Sequence, residues 1–188
     1  MSNLRTAAPW IAFTAGSAVA DWRVGASLAL AIAVAAAIGR RRSGERDDLA
    51  TASLVFFVCV TAVSIADPSS AVHHDLPALA PAALGLGAAV SILRGRPFTI
   101  PYAKRSTPAE LWDQPRFHHA NVVISTLWAV SFIVTAAALF TLLAVGGHAG
   151  LIIEVEVAGV LVPVRLTALY RRRLRARFAS VSTQAALA

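Results

Sequence analysis

Cysteine, methionine and lysine each occur once in the 188 residues, and charged side chains make up only 14% of them. A lone Cys59 excludes an intramolecular disulfide and a cysteine-built metal cluster. Inside an apolar run it reads as a small buried hydrophobe. The scarcity of charge excludes an ordinary soluble domain, which carries about 25% charged and roughly 45–50% apolar residues. Here 57% are apolar and the mean hydropathy is +0.65. One globular core cannot hide that much apolar surface, so lipid must cover part of it. The P-loop, the GxSxG elbow, the HExxH pair and the dinucleotide fingerprint are all missing. No catalytic residue can be named from the sequence, which weighs against an enzyme, and no cofactor is implied.

What is present is a series of apolar runs at 8–20, 24–39, 49–66, 76–93, 122–145 and 151–169. The first has 13 residues. As a helix it reaches about 20 Å, short of the roughly 30 Å hydrocarbon core. Arg5 before it and Ala18-Val19-Ala20 at its end imitate a signal peptide. It is read here as a retained segment that forms a hairpin with the second run, turning at 21–25, the alternative being one long helix from Ala8 to Ile38 with its charged turn outside the bilayer. Pro77 and Pro81 are placed near the start of the fourth helix, where a missing N–H costs little. Gly85 and Gly87 in its middle allow close helix approach. Residues 1–178 read as a single domain and 179–188 as a flexible tail.

Arginine outnumbers lysine 16 to 1 and alanine is abundant, which points to a GC-rich bacterial coding sequence. The net charge of +7 would suit nucleic acid, but the basic residues cluster between apolar runs without interleaved aromatic motifs. Arg5 and the clusters at 40–46, 94–116 and 171–177 hold 15 of the 17 basic residues. Six alternate crossings put all of these on one side. The opposite side receives Asp21, Asp67 and Asp75, with Arg23 as its basic charge. Arg165 can snorkel to the basic side. The positive-inside rule then predicts an all-α, polytopic membrane bundle of about six transmembrane helices in three hairpins, both termini cytoplasmic. Arg40, Arg41, Arg42, Arg171, Arg172 and Arg173 are placed to meet anionic lipid headgroups, at about 1 kcal/mol each.

Few side chains offer chemistry. His73, His74 and His148 fall on the outer side and, with Asp75, would suit zinc. Solvated loop residues are the simpler reading. His118 and His119 belong to the inner side, at a helix entrance, where lipid phosphate or the protein's own loop would meet them. Glu154 and Glu156 are the acids inside an apolar run, where charge is costly and often functional. Two apart on a helix, they diverge by about 200°, which argues against paired-carboxylate catalysis. A helix beginning later would leave both at the outer interface. A proton or substrate role would otherwise fall to one of them, with Glu154 the candidate. Asn121, Ser125 and Trp128 follow i, i+4, i+7 spacing, continued by Phe132 and Thr135. Such a stripe joins helices or lines a substrate path.

The interval 94–128 is the one long polar stretch. Phe98, Tyr102, Trp112 and Phe117 suit anchors that fold it onto the helix ends or into the headgroup layer. A short helix is expected with Thr107 as its cap and Pro108 in its first position. Pro97, Phe98, Thr99, Tyr102, Ala103, Trp112, Pro115 and Phe117, followed by Asn121, Ile124, Ser125 and Trp128, resemble the bacterial intracellular septation protein A-like family. Ser125 departs from the threonine expected there. The match spans 94–128 and the hydrophobic layout around it. The resemblance implies a multi-pass inner-membrane location and a context of envelope maintenance and septation. It implies no reaction.

The resulting expectation is a non-enzymatic scaffold or accessory subunit of the bacterial inner membrane. Its expected partners are anionic membrane lipids and other envelope or membrane-complex proteins, not nucleic acid, and a homo-oligomer is compatible. One alternative is a small transporter or channel using the Asn121–Ser125 stripe and Glu154. A second is a membrane-embedded metal-binding protein or enzyme built on the outer histidines.

Overall fold

A computed structural model describes residues 3–44 and 47–187, with side chains at 7–42, 44 and 47–174. Arg46 of the first basic cluster lies outside the described residues. So do the side chains of Arg5, Arg175, Arg177 and the expected tail at 179–187. The elements are α1 (Asn3–Val19), α2 (Trp22–Ser43), α3 (Asp48–Ala66), α4 (Val72–Leu93), α5 (Ile100–Lys104), a 3-10 turn (Ala109–Leu111), α6 (Pro115–Ala144) and α7 (Ala149–Leu187). There is no strand among the described residues. Helices α2, α3, α4 and α6 are long and apolar enough to cross a membrane; the apolar part of α1, Ala7–Val19, is shorter. Helix α7 interrupts its apolar run with Glu154, Glu156 and Arg165.

Each long helix packs chiefly on its neighbours in sequence: α1 on α2, α2 on α3, α3 on α4, α4 on α6, α6 on α7. Among the described residues no substantial interface joins α1 to α7. The helices therefore form an open row rather than a closed ring. Helix α4 lies mid-row and is approached closely from both sides. A Cβ on Gly85 would stand 2.7 Å from Ile133 Cγ1 of α6, and one on Gly87 would collide with Ala52 of α3. The buried residues are mostly small, among them Ala26, Ala29, Ala33, Ala88 and Ala129. That composition suits helices that meet by backbone approach rather than by interlocking long side chains.

Local chemistry sets the helix ends. Asp21 is extended and caps α2, its Oδ1 accepting from the Arg23 N–H at 2.8 Å. The Arg23 side chain donates to Oδ2 of the same carboxylate. That hydrogen bond first, and the backbone one second, hold the exposed Asp21 carboxyl below its ordinary range. The turn is thus Ala20 and Asp21, and α2 is already helical from Trp22, within the 21–25 stretch expected to turn. Asp47 caps α3 in the same way, accepting from Ala50 N–H at 3.1 Å.

Two expectations are corrected here. Helix α4 starts at Val72, so His73, His74 and Asp75 are helical, not loop, and Pro77 and Pro81 lie inside the helix beyond its first turn. Hydropathy marks where the apolar run starts, whereas this helix starts in the polar residues before it. Cys59 is exposed, not buried. A helix that is apolar all round gives no sign of which side faces its neighbours.

Candidate functional site

The 94–128 interval is shaped first by how α4 ends. Gly95 takes φ +67°, which favours glycine. Its N–H reaches Ile92 O at 2.9 Å, and the Arg96 N–H reaches Ser91 O at 2.9 Å. This is a Schellman ending, and it reverses the chain. Pro97 and Phe98 are thereby carried back into the helix ends, where both are buried. Phe98 packs with Leu49, Ala88 and Ala129, ringed by Leu84, Ile92, Tyr102 and Trp128. Ser91 Oγ accepts from the Phe98 N–H at 3.1 Å and donates to Ala88 O at 2.7 Å.

Thr99 comes next and closes the polar stripe of α6. Its Oγ1 lies 3.0 Å from Asn121 Oδ1, 3.1 Å from Asn121 O and 2.9 Å from Ser125 Oγ. Asn121 Nδ2 donates to Phe117 O at 2.8 Å. Asn121 is 2% exposed and Ser125 0%, while Thr99 is half-buried. Trp128 leaves the cluster: its Nε1–H donates to Thr167 Oγ1 of α7 at 3.1 Å. Phe132 and Thr135 continue the buried face as expected. One stripe thus joins α6 to the loop at one level and to α7 at the next.

Outside the cluster the loop is tied down at several points. Tyr102 OH donates to Asp47 Oδ2 at 3.2 Å, reaching the residue that also caps α3. Arg94 pairs with Asp48 at 3.5 Å. Trp112 Nε1–H donates to Thr107 O at 3.0 Å, and the Lys104 ammonium sits 4.7 Å over the Trp112 ring. Arg171 Nη2 of α7 donates to Ser106 Oγ at 3.2 Å. Pro115 opens α6, where its missing N–H leaves no bond unmade. The expected short helix at Thr107-Pro108 is only a 3-10 turn. Pro108 precedes it with extended ψ, and no side chain caps it. Thr107 acts through its carbonyl instead. The helix that the loop does contain is α5, with Pro101 in its first turn.

Glu154 and Glu156 are exposed on α7. The helix does not begin after them, as one expectation had it. Gly146, at φ +70°, ends α6, and His148 Nδ1 accepts the Leu151 N–H at 3.2 Å, so α7 is helical from Ala149. From Glu154 to Thr167 is about 20 Å along the axis, so Glu154 does not meet the Asn121–Ser125 cluster.

The histidines expected on the outer side have partners of other kinds. His73 stacks on Trp22, with centroids 5.8 Å apart, and its Nδ1 lies 2.7 Å from Ser70 O. His74 and Asp75 edge an open depression of about 540 Å³ with Phe140, Leu143, Ala144, Gly146 and Gly147. No three His, Cys, Asp or Glu side chains among the described residues are grouped to hold a metal ion. His118 and His119 are exposed early in α6, Arg41 and Arg42 are exposed at the end of α2, and Arg171, Arg172 and Arg173 are exposed on α7.

Ser91, Asp47 and Thr167 bind this region together and were not singled out from the sequence. Their partners lie 7, 55 and 39 residues away, so no local spacing announces them. No family model, curated protein or solved structure matches the chain.

Proposed function

We propose that the protein is a multi-pass scaffold or accessory subunit of the bacterial inner membrane with no reaction of its own. One observation carries this reading: the polar groups of the loop and of α6 are turned toward one another. Thr99, Asn121 and Ser125 bond mutually, and Trp128 bonds to Thr167. A substrate path needs such groups facing a channel, whereas a joint between elements needs them facing each other. The joint holds residues 94–119 as a fixed surface over the helix ends. The septation and envelope context comes from the resemblance of 94–128 to the septation protein A-like family.

The chain crosses the bilayer six times in this reading, with both termini cytoplasmic. The segregation of the basic residues supports it. Helix α1 has 17 residues, but its apolar part, Ala7–Val19, is shorter than the other crossings. Single cysteines at positions 43, 70, 106 and 147, in a Cys59→Ala background, report the topology to an impermeant thiol reagent. Positions 70 and 147 are expected to label from outside, and 43 and 106 only after lysis. Protection of 147 would remove the α6 or α7 crossing, and the inverted pattern would remove the orientation.

Function is tested by complementation of a deletion strain beside a melting curve for each variant. Asn121→Ala is expected to lose about 0.6 kcal/mol, the mean for interhelical hydrogen bonds in membranes. Glu154→Gln is expected to complement fully with its melting temperature unchanged. A folded Glu154→Gln protein that fails to complement would replace the scaffold by a transporter.

A further inference from the structure

We propose that Lys104, Ser106 and Arg171 form a seat for the phosphate of one anionic phospholipid, whose acyl chains lie along α7. The inference rests on the reading of α7 as a crossing, and it concerns a defined site rather than a general attraction to the membrane.

The first ground is a convergence of cations from two separate elements. The chain delivers Lys104, Arg105 and Ser106 at the end of α5 and Arg171 near the end of the apolar run of α7. The Arg171–Ser106 contact at 3.2 Å brings the two together. Arg94 and Arg23 have carboxylate partners in Asp48 and Asp21, but Lys104 and Arg171 form no ion pair among the described residues. A guanidinium has five N–H donors, and one neutral serine oxygen answers only one of them. A phosphate over Ser106 would answer the remaining Arg171 donors and lie within two residues of Lys104 along the chain.

The second ground is that the cations are positioned. Lys104 is held 4.7 Å over the Trp112 face, and Trp112 is itself pinned through Nε1 to Thr107 O. Ser106 Oγ donates to Ala103 O at 3.3 Å, which turns its lone pairs outward to Arg171. Aromatic residues with polar tips belong at the depth of lipid headgroups.

The third ground selects a lipid over a free anion. Val164, Val160, Val157 and Ile153 lie 7, 11, 14 and 18 residues before Arg171, which puts them within about 40° of it on the helix surface. All four are exposed, at 44%, 49%, 50% and 58%. Glu154 and Glu156 lie about 100° and 60° round the helix from this track. A basic seat above an apolar track matches a phosphate above acyl chains.

The test uses the full chain in nanodiscs of equal phosphatidylcholine and phosphatidylglycerol. Lipid that stays bound after transfer to mild detergent is identified by native mass spectrometry. The wild type is expected to retain phosphatidylglycerol several-fold over phosphatidylcholine. Lys104→Gln/Arg171→Gln is expected to lose that preference, and Lys104→Arg/Arg171→Lys to keep it. Arg96→Gln/Arg116→Gln removes the same charge elsewhere in the basic 94–116 stretch and is expected to keep the preference, which would be lost if the attraction were diffuse. Equal loss in both charge-removing variants, or no preference in the wild type, overturns the proposal. Inorganic phosphate that raises the wild-type melting temperature as much as a short-chain phosphatidylglycerol does would make the seat a free-anion site, which also overturns it. A chain that never enters the nanodisc defeats the membrane reading itself, an outcome distinct from all of these.

Discussion

Phe98→Ala should destabilise the protein by about 3–5 kcal/mol, the range for emptying a buried phenylalanine site. Phe98 is 7% exposed, and its ring is the plug around which Leu49, Ala88 and Ala129 meet. These come from α3, α4 and α6, so no single helix can move to fill the space. The neighbouring hydrogen bonds depend on the plug as well. The Phe98 N–H reaches Ser91, and the next residue, Thr99, reaches Asn121 and Ser125. Loosening the ring should therefore free the loop, with faster tryptic cleavage at Lys104 and Arg105 beside a lowered melting temperature. An unchanged melting curve with unchanged cleavage would show that the loop is held by something other than this packing.

Gly85→Leu should be the second most damaging change, at about 1–3 kcal/mol or more for overpacking a tight interface. A bare Cβ there already meets Ile133 Cγ1 at 2.7 Å, and behind that atom stand the Ile133 backbone nitrogen and Phe132 Cβ, both at 3.3 Å. The isoleucine tip could rotate away, but the backbone cannot, so α4 and α6 must separate. Gly39→Leu is the matched control, because a Cβ at Gly39 meets nothing within 4 Å. Melting curves of the two variants in one detergent should differ clearly. Equal melting temperatures would mean that α4 and α6 slide apart without cost.

The fold class was legible because a bilayer demands long apolar helices, and the composition left few other solutions. Helix boundaries were less legible. Hydropathy locates the part of a helix that meets lipid, while caps and first turns are polar. That is why α4 begins at Val72 instead of near Leu76, and α6 at Pro115, ahead of the apolar run that starts at Val122. The i, i+4, i+7 spacing did find the buried face of α6, since Asn121 and Ser125 are both buried. It could not find Thr99 as their partner, 22 and 26 residues earlier in the chain, because that meeting depends on the reversal at Gly95. Cys59 was misplaced for a related reason: in an apolar helix, inward and outward residues look alike.

The open row of helices bears on how the chain is made. Its main interfaces join elements that follow one another along the chain, so each can form soon after its second helix leaves the ribosome. Contacts between sequence neighbours have little loop-closure entropy to overcome, which favours rapid assembly in step with translation. The plugged loop is one exception. Thr99 emerges well before Asn121 and Ser125, and Trp128 must wait for Thr167. The last segments to be synthesised are thus the ones that lock the middle of the chain in place.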